Sequence, residues 1–264
     1  MWLTDVVLRR SESYRKNLRF EPNLARFVAK YGSRPVPSRE RDLTLEIIIP
    51  CYNHGRFLRD ALSSCPRDAP ITISYDESTD DTGEIIERLK DEFTFKLLKN
   101  GEAAGQGESI NRAIAASDHD AFMVLNADDC LLPYAYDAVA RTFDRFPDAR
   151  LVGGGSIPFA DPSTLRLSAH LPVRLGYLHE ATVLRPEQVR RVKELNDVNM
   201  TMSSCSFTRS AWKAVDGFWP FDRRVCSHDD RDFQLRVGCL FPIALIEEPL
   251  AFYRTNSSLA RGQA

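Results

Sequence analysis

Short apolar runs alternate with amphipathic segments through the central part of the chain. The runs are four or five residues long and rich in Ile, Leu and Val, and the segments between them place apolar residues at helical spacing. This alternation predicts right-handed βαβ crossovers and an α/β fold with a mainly parallel sheet flanked by helices. The predicted strands are residues 45–49, 71–75, 95–98 and 121–125, and the predicted helices are residues 56–64, 82–93, 108–116 and 133–146.

The regular pattern fades beyond Leu151. Three consecutive glycines, Gly153 to Gly155, and several prolines interrupt it, and only short helices at residues 210–215 and 229–237 are predicted there. We expect this half of the chain to cover the sheet edge and to shape a pocket. The sequence therefore predicts one domain over residues 44–264, with a regular half (44–150) and an irregular half (151–264).

Residues 1–43 form a separate N-terminal region. They are rich in Arg, carry apolar residues at loosely helical intervals, and end in a Pro- and Ser-containing linker at residues 33–38. A helical extension is predicted, and two interpretations of it remain open. Its apolar side packs on the main domain, or its basic side contacts a membrane surface or a partner. The basic side chains in question are Arg9, Arg10, Arg15, Lys16 and Arg19.

Composition narrows the class of protein. The chain has 264 residues, of which 43% are hydrophobic, so it can bury the core of one large domain. A net charge of -2 without a basic stripe argues against a nucleic-acid binder. Six scattered cysteines without CxxC spacing or a secretory signal predict free thiols in a reducing compartment. The apolar runs are too short to cross a membrane. We therefore expect a cytoplasmic protein, with the N-terminal region as a candidate contact to the membrane surface.

Polar side chains follow three of the predicted strands at their carboxyl ends. Residues 121–129 run from an apolar strand into Asn126, Asp128 and Asp129, and the strands before it end at Pro50 and Asp76. Ligands of open parallel sheets bind outside the carboxyl ends of the strands, where short carboxylates can hold a hard divalent cation against a phosphate. These residues therefore predict a phosphate and metal site. Alternatively, the acids cap the helix that begins near Pro133.

Five segments in a fixed order carry a resemblance to a known family. They resemble, over about residues 45–255, the family 2 glycosyltransferases with the GT-A fold. The segments are Ile47 to Asn53, Asp76 to Thr82, Gly105 to Asn111, Asn126 to Asp129, and His228 to Asp232.

The resemblance implies an inverting transfer of a sugar from a nucleotide-sugar donor to an acceptor hydroxyl, aided by Mg²⁺ or Mn²⁺. The regular half would bind the nucleotide-sugar, and the irregular half the acceptor, which is a glycan, a lipid-linked molecule or a small molecule. Such a reaction belongs to polysaccharide or glycoconjugate biosynthesis. Because the carboxylate of Asp76 can accept a hydrogen bond from an imide N–H and would reject a cytosine edge, UDP- and dTDP-sugars are favoured.

Each donor contact is carried over from the family onto a position of this chain. Tyr52 is expected to stack on the base, Asn126 to contact the ribose, and Asp128 to bridge to the diphosphate through the metal. Asn256 is the nearest oxygen ligand to the position where many members carry a metal-binding His. The donor residues implied are Pro50, Tyr52, Asn53, Asp76, Gly105, Asn111, Asn126, Ala127 and Asp128, and the metal ligands implied are Asp128 and Asn256. An ordinary strand-to-helix turn at Tyr52 and an ordinary loop at Gly105 remain the alternatives.

The catalytic base implied by the resemblance is Asp230, with Asp229 as the second candidate. An inverting displacement needs a carboxylate near the acceptor hydroxyl, on the face opposite the departing diphosphate, to take its proton. A purely structural interpretation also exists, in which Asp229 and Asp232 favour a helix N-terminus and Arg236 pairs with Asp232 one turn later.

Three substitutions relative to the family motivate a different functional class. Tyr75 and Asn126 stand where acids are usual, and Asn256 stands where His is common. A non-catalytic nucleotide-sugar binding or scaffold protein with the same fold is the alternative function. A sugar nucleotidyltransferase is disfavoured, because residues 51–56 do not supply the Gly-rich basic loop which that class needs after its first strand.

Overall fold

A computed structural model describes residues 26–30, 43–103, 105–160, 180–191, 200–225 and 228–257. The linker at residues 33–38 and the basic side chains between residues 9 and 19 lie outside these ranges. No helix in the described ranges is both long enough and apolar enough to span a bilayer.

Besides the helical residues 26–30, the structure describes nine strands and seven α-helices. The strands are β1 Leu45–Cys51, β2 Ile71–Tyr75, β3 Lys96–Lys99, β4 Ala121–Val124, β5 Cys130–Leu131, β6 Leu151–Phe159, β7 Ala181–Leu184, β8 Cys205–Thr208 and β9 Ile243–Arg254. The helices are α1 Gly55–Ser64, α2 Thr82–Leu89, α3 Gln106–Ala115, α4 Ala135–Arg145, α5 Pro186–Arg191, α6 Arg209–Ala214 and α7 Asp229–Gly238, with 3₁₀ turns at Met202–Ser204 and Phe221–Arg223. The predicted βα alternation up to residue 146 is confirmed.

One sheet contains all nine strands, in the order β3-β2-β1-β4-β8-β6-β9-β5, with β7 paired to β9. Strands β3, β2, β1 and β4 are mutually parallel, as predicted. Strand β8 then runs antiparallel between β4 and β6, and β6 and β9 are parallel to each other. The second half of the chain therefore extends the sheet, where we expected it mainly to cover its edge.

The apolar run of β1 is buried on both faces of the sheet. Ile47 and Ile49 belong to a core cluster with the apolar sides of α1 and α4, while Ile48 belongs to a second cluster with α3 and α7. Successive side chains of a strand point to opposite faces, so helices on both sides require an apolar residue at every position. This double burial holds the carboxyl end of β1 rigidly in the centre of the sheet.

The described part of the N-terminal region packs on the domain. Residues 26–30 are helical, and Phe27 is 3% exposed within the second core cluster. Its ring lies 5.7 Å from that of Trp219 in an edge-to-face arrangement. For these residues the packing interpretation is confirmed.

The five described cysteines are free thiols, and all are buried. Removal from water disfavours the charged thiolate, so burial raises the pKa of Cys51, Cys65 and Cys130 to about 12. The expectation of unpaired thiols is confirmed for these five.

Candidate active site at the carboxyl edge of the sheet

The carboxyl ends of β1, β2 and β4 meet at one edge. Cys51 is paired with Tyr75, and Ile48 is paired with Val124, so the residues that follow each strand emerge side by side. These residues are Tyr52, Asp76 and Asn126. The sequence pattern thus brings together three of the predicted donor residues, in the place where α/β sheets bind their ligands.

Asn53 ties the first two strand ends together. Its backbone adopts a left-handed conformation (φ 54°), which Asn tolerates better than most residues. Its side-chain Oδ1 accepts a hydrogen bond from Thr79 N at 2.8 Å, and its own N–H donates to Ser78 Oγ at 3.0 Å. Tyr52, immediately before it, is half-buried. Asn53 therefore shapes the wall on which a base would rest.

Asp76 lies almost inside the fold, at 3% exposure. One carboxylate oxygen accepts a hydrogen bond from Asn100 Nδ2 at 2.8 Å. The Asn100–Gly101 turn is bonded on both sides of Asp76, because Asn100 N donates to Tyr75 O and Glu77 N donates to Gly101 O. Within the described ranges the other carboxylate oxygen accepts no hydrogen bond, so it can accept one from a ligand.

Asn126 is held between two side chains. Its backbone N–H donates to Ser203 Oγ at 3.0 Å, and its Oδ1 accepts from Gln106 Nε2 at the start of α3. Gly105, which precedes Gln106, has φ 89°, a conformation that favours glycine. The glycine therefore lets the chain enter α3 with Gln106 directed at Asn126.

Asp129 is fully buried and links the end of β4 to two distant segments of the chain through hydrogen bonds. It accepts hydrogen bonds from Ser203 Oγ at 2.6 Å and from the backbone N–H of Arg254 at 2.8 Å. Burial, reinforced by the neighbouring charge of Asp128, raises the pKa of Asp129 to about 7. The alternative in which these acids cap the next helix is wrong, because α4 has Tyr134 at its N-cap and no side-chain cap bond.

Asp128 is half-buried and faces the end of β9. Its Oδ2 accepts a hydrogen bond from Ser257 Oγ, and its carbonyl oxygen accepts one from Arg254 Nε at 2.8 Å. Asn256, the expected second metal ligand, is exposed, and its Nδ2 donates to the carbonyl of Ala160 at 3.3 Å. The turn after β9 thus directs Ser257, one position later than expected, at Asp128.

The described residues contain no group of three or more His, Cys, Asp or Glu side chains that could hold a metal ion. Mg²⁺ is commonly bound through one or two carboxylates together with substrate phosphates and water, and hard cations prefer oxygen ligands. The single carboxylate of Asp128 fits a cation that is held mostly by the diphosphate of a donor.

Asn111 has a different place from the one implied by the resemblance. Its Oδ1 accepts hydrogen bonds from Trp212 Nε1 at 2.8 Å and Phe218 N at 2.9 Å, and its Nδ2 donates to Phe218 O at 2.9 Å. These contacts fasten α3 to the turn after α6. Because this amide is occupied by the fold, we do not count Asn111 among the proposed donor contacts.

The acidic segment from His228 to Asp232 begins α7, close to the start of α3. A Cβ atom on Gly107 would lie 3.0 Å from the Cβ of Phe218, which is a tight contact, and 3.6 Å from Asp229 Oδ2, which is an ordinary van der Waals contact. Asp229 Oδ2 lies 3.8 Å from an Arg224 guanidinium nitrogen. The α3 segment therefore connects the donor side, through Gln106, with the acidic start of α7.

Asp230 is half-buried at the first turn of α7. Its Oδ1 accepts the backbone N–H of Arg231 at 2.7 Å, and burial is the main cause that raises its pKa above the usual range. The structural interpretation holds for Asp232, which is fully buried and paired at 2.7 Å with Arg236. That ion pair leaves Asp230 outside it.

Several site residues escaped sequence reasoning. Ser203, Ser257, Arg254 and Asn100 each contact a predicted site residue through a hydrogen bond. Ser203 is fully buried, and its Oγ accepts a hydrogen bond from the N–H of Asn126 and donates one to Asp129. No periodicity marks these contacts, because each joins segments that are distant in sequence.

The chain matches the family model described as "Glycosyl transferase family 2" over residues 46–212. It is 24% identical to a poly-beta-1,6-N-acetyl-D-glucosamine synthase of Staphylococcus epidermidis over 67% of this chain and 42% of that protein. It is 29% identical to an uncharacterized glycosyltransferase of Nostoc sp. over 38% of this chain and 33% of that one. The chain thus spans less than half the length of these relatives.

Solved structures of transferases resemble the fold. Staphylococcus aureus TarS 1-349 in complex with UDP-GlcNAc superposes with a TM-score of 0.62 at 16% identity, covering 84% of this chain and 61% of that chain. The mannosyltransferase PcManGT of Pyrobaculum calidifontis, in complex with GDP-Man and Mn²⁺, gives 0.54 at 14% identity, covering 91% and 66%. These likenesses show the GT-A fold. Because the family model matches more than half of the sequence, the chain belongs to glycosyl transferase family 2.

Proposed function

We propose that the chain is an inverting glycosyltransferase that moves a sugar from a UDP- or dTDP-sugar to an acceptor hydroxyl. The observation that carries this proposal is the convergence of Asp76, Asn126 and Asp128 at one sheet edge. Through Gln106 and Gly107, helix α3 places that edge next to the acidic start of α7. The proposal thus has a donor side and a base side that share one supporting helix.

The donor side is built for a nucleoside diphosphate. Tyr52 supplies an aromatic surface for the base, worth about 1–3 kcal/mol when a base stacks on it. Asp76 presents one oxygen to the imide N–H of uracil or thymine, and the Asn126 amide faces the ribose. Asp128 would hold the cation, which would supply neutralisation of the charge that develops on the departing diphosphate. Complexes of related structures with UDP-GlcNAc and with Mn²⁺ support this arrangement.

Asp230 takes the proton of the acceptor hydroxyl. Its raised pKa makes it a stronger base than an ordinary aspartate, which suits proton abstraction near neutral pH. Asp229 is the weaker candidate, because Arg224 lies close to its carboxylate and one of its oxygens accepts the N–H of Asp230. Both carboxylates lie in the first turn of α7.

The half of the chain that contains β6 to β9 binds the acceptor. We propose a glycan, a lipid-linked molecule or a small molecule in polysaccharide or glycoconjugate biosynthesis, and the similarity to a poly-N-acetylglucosamine synthase favours the glycan. The buried free thiols support a reducing, cytoplasmic setting, and the N-terminal region remains the candidate contact with a membrane surface.

The test is release of nucleoside diphosphate from a panel of UDP- and dTDP-sugars, beginning with UDP-GlcNAc, with oligosaccharide acceptors and Mn²⁺. We expect acceptor-dependent release by the wild type, and Asp230→Asn should bind the donor normally but release nothing. Near-normal turnover by Asp230→Asn would contradict the assignment of the base.

A non-catalytic nucleotide-sugar binding protein is the second candidate. The observation that favours it is the single carboxylate at the cation position, with an amide at Asn126. Donor binding without turnover over the whole acceptor panel would select this candidate. The same assay therefore separates the two.

A further inference from the structure

Arg254, the last residue of β9, is 4% exposed and contacts both Asp128 and Asp129. Its Nε donates to the carbonyl oxygen of Asp128 at 2.8 Å, and its backbone N–H donates to Asp129 Oδ1 at 2.8 Å. Its terminal nitrogen Nη2 donates to Asp60 Oδ2 at 3.0 Å. One residue thus joins β9, the acidic motif and α1.

The guanidinium is fixed in orientation as well as in position. It lies over the Phe57 ring at 4.6 Å from the centroid and over the Phe159 ring at 4.5 Å. A planar fork held against two aromatic faces keeps its donors in one direction, which the point charge of a lysine cannot do.

The sheet does not need this guanidinium to position β9. Backbone pairing already holds the strand against β6 up to Phe159↔Arg254 and against β5 at Leu131↔Ala251. The side-chain donors of Arg254 go instead to Asp128 and Asp60. Ser257, three residues later, closes on the carboxylate of Asp128 from the same turn. Both the peptide and the side chain of Asp128 are therefore held by the end of β9.

We propose that Arg254, braced by Asp60, is a positioning residue for the cation-binding carboxylate of Asp128. This inference rests on the proposed function. By fixing the Asp128 peptide, Arg254 directs the carboxylate towards the place of the diphosphate and its cation. Residues that orient a metal ligand from behind typically change metal affinity 10- to 100-fold when they are replaced.

The test measures the affinity for UDP by calorimetry, once with Mn²⁺ and once with EDTA, and takes the ratio of the two affinities. Arg254→Lys should lower that ratio by about tenfold or more while changing the affinity in EDTA much less. Asp60→Asn removes only the brace, so its ratio should fall by a smaller factor. A purely structural role would lower both affinities together and leave the ratio unchanged.

Arg209 provides a matched control. Its guanidinium donates three hydrogen bonds to backbone carbonyls, those of His119, Ile114 and Ser117, and, like that of Arg254, lies over an aromatic ring, 4.9 Å from the centroid of Phe122. Among the residues that the structure describes, none of these contacts of Arg209 is with a predicted site residue. Arg209→Lys should lower the melting temperature and leave the affinity ratio at the wild-type value.

An unchanged ratio in folded Arg254→Lys, or a ratio that falls equally in Arg209→Lys, would overturn the inference. If Arg254→Lys does not fold, Asp60→Asn decides, since the Asp60 side chain is 41% exposed and its replacement preserves shape. If the wild type binds UDP more tightly with Mn²⁺ than with EDTA, and Asp60→Asn has the same affinity ratio as the wild type, the positioning role alone is refuted. A wild type that binds no nucleotide, or binds equally in EDTA, would overturn the proposed function as well.

Discussion

The buried pair of Asp232 and Arg236 gives a stability prediction that follows directly from the contacts. Both side chains are fully buried, and Arg236 also donates to the carbonyls of Val215 at 2.7 Å and Gly217 at 2.9 Å. Asp232→Ala would leave the guanidinium inside the core without its carboxylate. Breaking a buried pair in this way costs about 3–5 kcal/mol, because one charge remains uncompensated.

The same site predicts strong coupling between the two residues. Burial raises the pKa of Asp232, and the charge of Arg236 opposes that shift. The double variant Asp232→Leu/Arg236→Met, which removes both charges, should therefore lose less stability than either single variant. In Asp232→Ala, the turn from Val215 to Gly217 and the start of α7 should loosen first.

Urea unfolding at pH 7, followed by circular dichroism, measures these differences. We expect the midpoint to fall in Asp232→Ala with little change in the slope. The exposed pair of Arg59 and Glu92 serves as control, and Glu92→Gln should leave the midpoint where it is. A loss below about 1 kcal/mol in Asp232→Ala would refute the reasoning, since it would mean that water already reaches the pair.

Three further predictions concern the carboxylates of the site. In the metal-free protein, folding raises the pKa of Asp129 from 3.8 to about 7, so between those pH values the folded state keeps a proton that the unfolded chain has lost. The melting temperature should therefore fall as the pH rises from about 4 to about 7. Asp129→Asn should flatten that decline. Activity should rise with pH through a value above the usual aspartate range as Asp230 loses its proton, and a pH–rate profile with its inflection near pH 4 would argue against this base. Asp76→Asn should weaken UDP binding by about tenfold and reduce its preference over CDP, as measured by competition, because a ligand hydrogen bond to a charged group is worth about 1.5–3 kcal/mol.

The first half of the fold could be predicted because its signals are local. The strands there are mostly apolar, and β1 to β2 and β2 to β3 are parallel neighbours separated by one helix. Strand β9 gave no such signal. It pairs with β6, about 90 residues earlier, and its register shifts near Gly155, so neither its length nor its partner is visible in a sequence window.

The site divides in the same way. Residues at strand ends, such as Asp76 and Asp128, follow from the pattern, because parallel strands bring their carboxyl ends to one edge. Residues that support them do not: Ser203 and Arg254 reach the acidic motif from segments 74 and 126 positions away. For Asn111 the motif predicted a contact with the donor, whereas in the structure its side-chain amide is hydrogen-bonded to Trp212.

The central claim is that the sheet edge binds a uridine or thymidine diphosphate with a cation held by Asp128. Calorimetric titration of the wild type with UDP, dTDP, GDP and CDP, each with Mn²⁺ and with EDTA, tests it most directly. We predict binding of UDP or dTDP that strengthens with Mn²⁺, with CDP far weaker. No binding of any of the four nucleotides, with or without Mn²⁺, would contradict it.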